Sequence, residues 1–132
     1  MEKTRKIYGV LITAGDVNLI EKKTVEIKEY TDWYPLLNCD IIDIVSRKIG
    51  DNYYDIVCDD EGLFRDPLIP TCVNFNENGK LEEIIHGSVF ICKTDEEGEL
   101  TSLTEEEMEE ILKNSTAILH KDKIQIVIKA TW

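Results

Sequence analysis

Much of this chain alternates apolar and polar residues with a period of two, the signature of a half-buried β-strand. Residues 24–28 set Val25 and Ile27 against Thr24, Glu26 and Lys28. Residues 41–49 bring Ile41, Asp43, Val45, Arg47 and Ile49 to one face, and residues 53–58 follow after Gly50-Asp51-Asn52. That spacing predicts a hairpin. Residues 7–13 are apolar and β-branched and end at Ala14-Gly15-Asp16-Val17-Asn18, a turn. Residues 84–92 form the longest β-rich run. Residues 117–120 and 124–129 flank Lys121-Asp122-Lys123, a second predicted hairpin with Ile124, Ile126 and Ile128 facing one way.

Two segments predict short helices. Thr31 caps the first, over residues 32–38, where Pro35 is tolerated only in the first turn. Thr104 caps the second. Glu107 stands three residues on, completing a capping box, and Leu103 and Met108 occupy the two positions of a hydrophobic staple. Three acidic or amide-rich turns close on glycine, at Gly62, Gly79 and Gly98, each with a leucine shortly after. Their intervening sequences do not match, so they indicate recurring hairpin chemistry and not a solenoid. The predicted fold class is therefore α+β. It is a mostly antiparallel β-sheet, open to curling, with two short helices in a single domain over residues 1–132.

Charge changes the functional picture more than composition does. The 132 residues are 42% hydrophobic and 32% charged, which suits a globular protein and not a disordered one. Net charge is −12, and nine acids with no base fall within residues 94–112. The rest of the chain carries eighteen acids against fifteen bases, so its surface as a whole does not imitate DNA. An acidic chain also repels phosphate backbones, which predicts no direct nucleic-acid binding. No run approaches the roughly 20 apolar residues that cross a bilayer, and the basic start lacks a long enough apolar core for a signal peptide. The expected setting is cytosolic, with no membrane.

Little points to catalysis. Cys39, Cys58, Cys72 and Cys92 form no CxxC pair and read as buried thiols, not as ligands or disulfides. Asp59-Asp60-Glu61-Gly62 lacks the alternating ligands of a calcium loop, so a turn is expected there and no metal site. GxSxG, GxxxxGK[ST] and GxGxxG are all absent. A Cys58–His86 pair across strands has no local support. No catalytic residue and no cofactor is predicted.

Two binding readings remain. Arg47, Lys48 and Arg65, with Trp33, Tyr34, Tyr53 and His86, supply the cations and stacking rings that hold a small anionic, nucleotide-like ligand. Against this, aromatics more often serve a core. The alternative uses Asp95, Glu96, Glu97, Glu105, Glu106 and Glu109 against a basic surface of a host protein, as a protein-binding inhibitor or partial nucleic-acid mimic. Against that, charge runs are usually solvated faces, and acids in a first helical turn suit the helix dipole. Trp132 on a terminal strand suggests docking in a second copy, a homodimer.

The segment 33–112 resembles a family of small, functionally uncharacterised domains of bacterial phages and mobile elements. The matching residues are Ile41-Ile42-Asp43-Ile44-Val45 and Asp55-Ile56-Val57-Cys58-Asp59-Asp60-Glu61-Gly62-Leu63, then Pro70 and Gly79. They continue with Ile84-Ile85-His86-Gly87-Ser88-Val89-Phe90-Ile91 and Ser102-Leu103-Thr104-Glu105-Glu106. Thr71-Cys72 stand where the family often carries an asparagine. The resemblance implies an accessory protein acting in a bacterial host's cytoplasm, where small proteins of this origin often blunt host defences. Sequestration of an anionic ligand is the expected function, with capture of a basic host protein as the alternative.

Overall fold

The computed structural model describes residues 4–64 and 67–131. Arg65 and Trp132, expected at the ligand and at a subunit contact, lie outside the described residues. The chain begins with β1 (Arg5–Thr13) and β2 (Leu19–Ile27). A 3-10 turn (Tyr30–Asp32) then leads into α1 (Trp33–Leu37). Next come β3 (Ile42–Ile49), β4 (Asn52–Asp59), a second 3-10 turn (Gly62–Phe64), β5 (Pro70–Phe75) and β6 (Leu81–His86). The chain then forms β7 (Val89–Thr94), β8 (Leu100–Thr101), α2 (Glu105–Lys113), β9 (Ser115–His120) and β10 (Lys123–Thr131).

These strands make one sheet in the order β2-β1-β7-β4-β3-β10-β5-β6, with β8 added on β7 and β9 on β10. The α+β expectation is corrected here. Strand accounts for 55% and helix for 16%, so the fold is sheet-rich, and the sheet is mixed and does not close. The mixing comes from β10, which runs parallel to β5 from Ile128↔Cys72 to Thr131↔Phe75.

β7 explains the layering. Val89, Phe90, Ile91 and Cys92 are all fully buried, so this strand is apolar on both faces and each face needs a cover. Val89 and Ile91 pack with Met108 and Ile111 of α2. Phe90 and Cys92 pack with Trp33 and Leu37 of α1 on the other side, the Phe90 and Trp33 rings 5.6 Å apart. β1 splits in the same way, with Val10 and Ile12 toward α2 and Ile7 and Leu11 toward α1.

The helix starts follow local chemistry. Thr104 Oγ accepts the Glu107 N–H at 3.1 Å while Glu107 Oε1 accepts the Thr104 N–H at 2.8 Å, and Leu103 and Met108 are both buried. α1 is shorter than expected. Asp32, not Thr31, binds the chain at its start, through the N–H groups of Lys28 and Glu29. Asn38 ends the helix at φ 52°, a left-handed conformation that asparagine tolerates better than most residues.

The run 84–92 is not one strand. Gly87, at φ 90°, breaks it into β6 and β7, which pair with different partners. Ile124, Ile126 and Ile128 also part company: the first two are exposed and Ile128 is fully buried. At the far end the β1–β2 turn is clasped to the opposite side of the sheet. Asn18 Nδ2 donates to the Pro70 and Ile126 carbonyls at 2.7 and 3.0 Å. Gln125 accepts the Asn18 N–H at 3.1 Å and donates to the Gly15 and Asp16 carbonyls. Both side chains are buried, and their hydrogen bonds offset the cost of that burial.

The closest approach in the core is at Gly9, where a Cβ would stand 2.3 Å from the Ile91 carbonyl oxygen and 2.8 Å from the Phe90 ring. Gly9→Ala is therefore expected to destabilise the fold by about 1–3 kcal/mol in urea denaturation. At Gly15 the nearest neighbour of a Cβ is 3.6 Å away, and Gly15→Ala should change stability by less than about 0.5 kcal/mol. Equal losses in the two variants would contradict the tight β1–β7 contact.

Candidate functional site

The residues expected to hold an anion are not gathered together. Arg47 is committed to Glu83 of β6: Nη2 reaches Oε1 and Oε2 at 2.9 and 3.2 Å, and Nε reaches Oε1 at 3.3 Å. Nη1 donates to the Ser46 carbonyl at 2.8 Å, and the side chain is only 11% exposed. Buried Asn74 donates to the same Glu83 carboxylate. Lys48 projects from the opposite face of β3, in register with exposed Tyr53 of β4. Trp33 is core, and Tyr34 is half-buried, edge-on to Tyr30 with centroids 6.0 Å apart.

The acidic stretch is largely tied down as well. Lys22 bridges Glu105 and Glu109 from β2, and the Tyr8 hydroxyl donates to Glu105 at 3.0 Å. Lys93 meets Glu107 at 3.0 Å. Glu110 accepts from the Tyr54 hydroxyl at 2.6 Å and the Asn52 amide at 2.8 Å. Asp95 folds the β7–β8 turn by accepting the N–H groups of Glu97 and Glu99, and Arg5 pairs with Asp95 and Glu99. Of the six acids proposed for a partner, Glu96, Glu97 and Glu106 have no side-chain partner among the described residues.

One cleft was not expected as a site, although His86 on its wall was named as a ligand contact and Asp59-Asp60-Glu61-Gly62 was expected as a turn. A cavity of about 240 Å³ lies between β3, the end of β4 with its following turn, and β6. Asp43, Asp59, Asp60 and Glu83 contribute carboxylates to its wall, Val45 and Ile85 contribute apolar surface, and Cys58, Leu63 and His86 complete it. Among the described residues lining it there is no lysine or arginine. Among the described residues, residues 42–47 of β3 have β4 as their only ladder partner and β6 has only β5, so two singly paired strand segments face this cleft.

Local structure fixes the wall. Asp59 Oδ1 accepts the Glu61 N–H at 2.9 Å, which shapes the turn. Gly62 then passes so close to β6 that a Cβ would stand 2.5 Å from the His86 carbonyl oxygen. This contact seats the second 3-10 turn on the end of β6 and leaves Leu63 and Phe64 68% and 84% exposed beside the cleft. His86 itself is 9% exposed and its Nδ1 has no hydrogen-bond partner. Burial, with His120 and Lys121 nearby, holds its pKa below the ordinary histidine value, so the ring is neutral at pH 7.

Cys58 shares this wall with His86, but burial pushes its thiol up to about 12. A nucleophile needs the thiolate, so this environment opposes Cys–His catalysis. Cys72 and Cys92 are raised to about 12 by burial in the same way. No group of three or more His, Cys, Asp or Glu among the described residues converges for a metal ion. No helix among the described residues is long and apolar enough to cross a membrane.

The chain is thus a sheet-rich domain with helices on both faces and an acid-walled cleft at one margin. It belongs to a family described as a domain of unknown function, DUF3846, whose model matches residues 9–116. That match runs further in both directions than the resemblance seen in residues 33–112 and takes in β1 from Gly9 onward, β2 and the start of β9. No curated protein and no solved structure matches the chain.

Two stability outcomes follow. Arg47→Ala strands the Glu83 carboxylate and should cost about 2–4 kcal/mol in urea denaturation, somewhat less than a fully buried pair because Glu83 is part-exposed. A loss under about 0.5 kcal/mol would show that the pair does not support the fold. Glu105 and Glu110 are held below the ordinary carboxylate value, Glu105 by hydrogen bonds from Lys22 and Tyr8, Glu110 by those from Tyr54 and Asn52. Their folded values lie below the unfolded value of about 4.3. The stabilisation is therefore complete above that pH and is lost as pH falls through the folded values. Glu110→Gln should flatten the acid-side fall of the urea midpoint, and an unchanged slope would rule out its contribution.

Proposed function

We propose that this protein is a binding module that grips a basic surface of a partner protein. The observation that carries this reading is the sign of the cleft wall: Asp43, Asp59, Asp60 and Glu83 line it, with no described base among the lining residues. Exposed Leu63 and Phe64 at its margin add the apolar contact area that protein partners use. Arg47, one of the three cations expected at an anion, already holds a carboxylate. The small anionic ligand keeps one observation in its favour, the cross-strand pair of half-buried Lys48 and exposed Tyr53, which combines a cation with an open ring. The finer setting, a phage or mobile-element protein that blunts a host defence in the bacterial cytoplasm, is part of the proposal on the family resemblance alone.

Calorimetry separates the two ligands. Poly-L-lysine of defined length should bind, with affinity falling severalfold between low and physiological salt as exposed charges are screened. A panel of linear and cyclic nucleotides should give no heat. Tight nucleotide binding without polylysine binding would reverse the assignment.

A further inference from the structure

β9 is an edge strand built unlike the other edges of the sheet. Among the described residues it pairs only with β10, and residues 115–120 hold no lysine, arginine, aspartate or glutamate. The strands at the two ends of the main order both carry charge, Glu21, Lys22, Lys23 and Glu26 in β2, Glu82 and Glu83 in β6. β8 is only two residues long. Charge and shortness are ordinary means by which a sheet edge avoids pairing with another chain. β9 has neither. Its hairpin also turns apolar side chains outward, with Leu119 opposite Ile124, Ile126 beside them, and all three exposed.

The hairpin fixes which backbone groups of β9 point outward. Lys121 and Asp122 form a two-residue turn with both φ values positive, 49° and 65°, and such a turn closes on a hydrogen-bonded pair, here His120 with Lys123. Bonding to β10 then alternates through His120, Ile118 and Thr116. The N–H and C=O groups of Ser115, Ala117 and Leu119 point away from β10 and have no backbone partner among the described residues. Their side chains are the exposed ones of the strand, two small and one large. A second copy of β9 laid antiparallel about Ala117 sets Ala117 against Ala117 and each Leu119 against the other copy's Ser115. No two bulky groups collide, and the outward groups complete about six backbone hydrogen bonds. A shift of two residues in this register loses one of the three pairs.

Charge argues for a second copy as the occupant. Two chains of net charge −12 repel each other, so they must meet where acids are few. Residues 115–131 carry three lysines and one aspartate. Antiparallel pairing also carries the turn of each hairpin past Ser115 to the α2 end of the other copy. Lys123 is held by Asp16, so Lys121 is the cation delivered there. It arrives at a groove where Asp51, Glu106, Glu109 and Glu110 outnumber Lys113, at the negative end of the helix dipole. Opposite signs therefore meet at both ends of the contact. We infer that β9 is the interface of a two-fold dimer, in which two β9–β10 hairpins join edge to edge into one continuous sheet. Each copy uses the same edge, so the assembly closes at two. The contact lies on β9 and not at Trp132, and it does not depend on what the cleft binds.

Sedimentation of the full chain over about a hundredfold range of concentration should show a monomer passing to a dimer and nothing larger. Hydrogen exchange reads the register. On dimerisation the amides of Ser115, Ala117 and Leu119 should slow by about tenfold or more, and those of Thr116 and Ile118, already bonded to β10, should change less. Ala117→Lys puts two like charges on the axis, and Leu119→Lys adds a charge at an exposed edge position. Each should weaken association by about tenfold or more while the melting temperature of the dilute monomer stays unchanged. Ile41→Lys adds the same charge at an exposed position away from β9 and should leave association intact. An equal loss in that variant would overturn the assignment to β9. So would outward amides that exchange as fast in the dimer as in the monomer. A chain that stays monomeric at every concentration overturns the dimer, and growth past two copies overturns its closure. Association that survives both β9 variants overturns the β9 contact, whether or not Trp132→Ala abolishes it.

Discussion

A strand that is apolar on both faces cannot stop at the surface of a domain, and β7 is such a strand. Burying Val89, Phe90, Ile91 and Cys92 completely requires strands on both edges and cover on both sides. β1 and β4 supply the edges. The cover comes from two unequal helices: α1 is five residues long and acts through Trp33 and Leu37, while α2 is nine long and acts through Met108 and Ile111. Neither helix is long enough to be stable by itself. Each is held by the apolar face it closes and by a polar start, Asp32 for one and the Thr104–Glu107 box for the other. The low helix content is thus consistent with the helices' role, which is to cover one central ladder.

The margins of the sheet are managed by polar groups. At one end the Asn18–Gln125 clasp draws the β1–β2 turn against β5 and β10, which brings sequence positions more than a hundred apart into one buried hydrogen-bonded group. On the side of β6 the sheet is held by a different device, the Arg47–Glu83 pair with Asn74 behind it. The cleft lies where β3 and β6 approach without a shared ladder, beside the Arg47–Glu83 pair and the close contact of Gly62 with the His86 carbonyl. Its position is a consequence of topology. Among the described residues β10 joins β3 only at Thr131↔Lys48, and the rest of that β3 edge has no ladder partner.

What could be read in the sequence was local. The two hairpins at Gly50-Asp51-Asn52 and Lys121-Asp122-Lys123 form as expected, and so do the cap and staple of α2, because each depends on residues within a few positions of one another. β5 was missed: it opens on Pro70 and carries Thr71 and Asn74 fully buried, so neither proline nor polarity marks it as central. The division of residues 84–92 was missed because Gly87-Ser88 interrupts an apolar run without ending it, and only the tertiary pairing sends β6 and β7 apart. The parallel β10–β5 ladder joins segments about 55 positions apart and leaves no periodic trace. Of the cleft, His86 was named from the sequence, as a contact for an anionic ligand. Asp43 and Asp60 were not, since a carboxylate at a strand position and another in a glycine-closed turn look structural until the fold brings them together.

The contrast between two groups of acids bears most on function. The stretch from Asp95 to Glu110 holds the largest concentration of negative charge in the chain, yet Arg5, Lys22 and Lys93 have folded onto it, and Tyr8, Tyr54 and Asn52 add hydrogen bonds. Charge engaged in this way serves the attachment of α2 and the β7–β8 turn, and a partner would have to displace those contacts to use it. The cleft carries fewer carboxylates, but Asp43 and Asp60 are exposed on its wall. For recognition, the count of charges matters less than the number the fold has left unneutralised, because only those gain more from a partner than they lose in contacts already made. By that measure the two features are close, with Glu96, Glu97 and Glu106 unpaired among the described residues of the stretch and Asp43 and Asp60 exposed at the cleft, and what sets the cleft apart is the exposed apolar margin of Leu63 and Phe64 beside it.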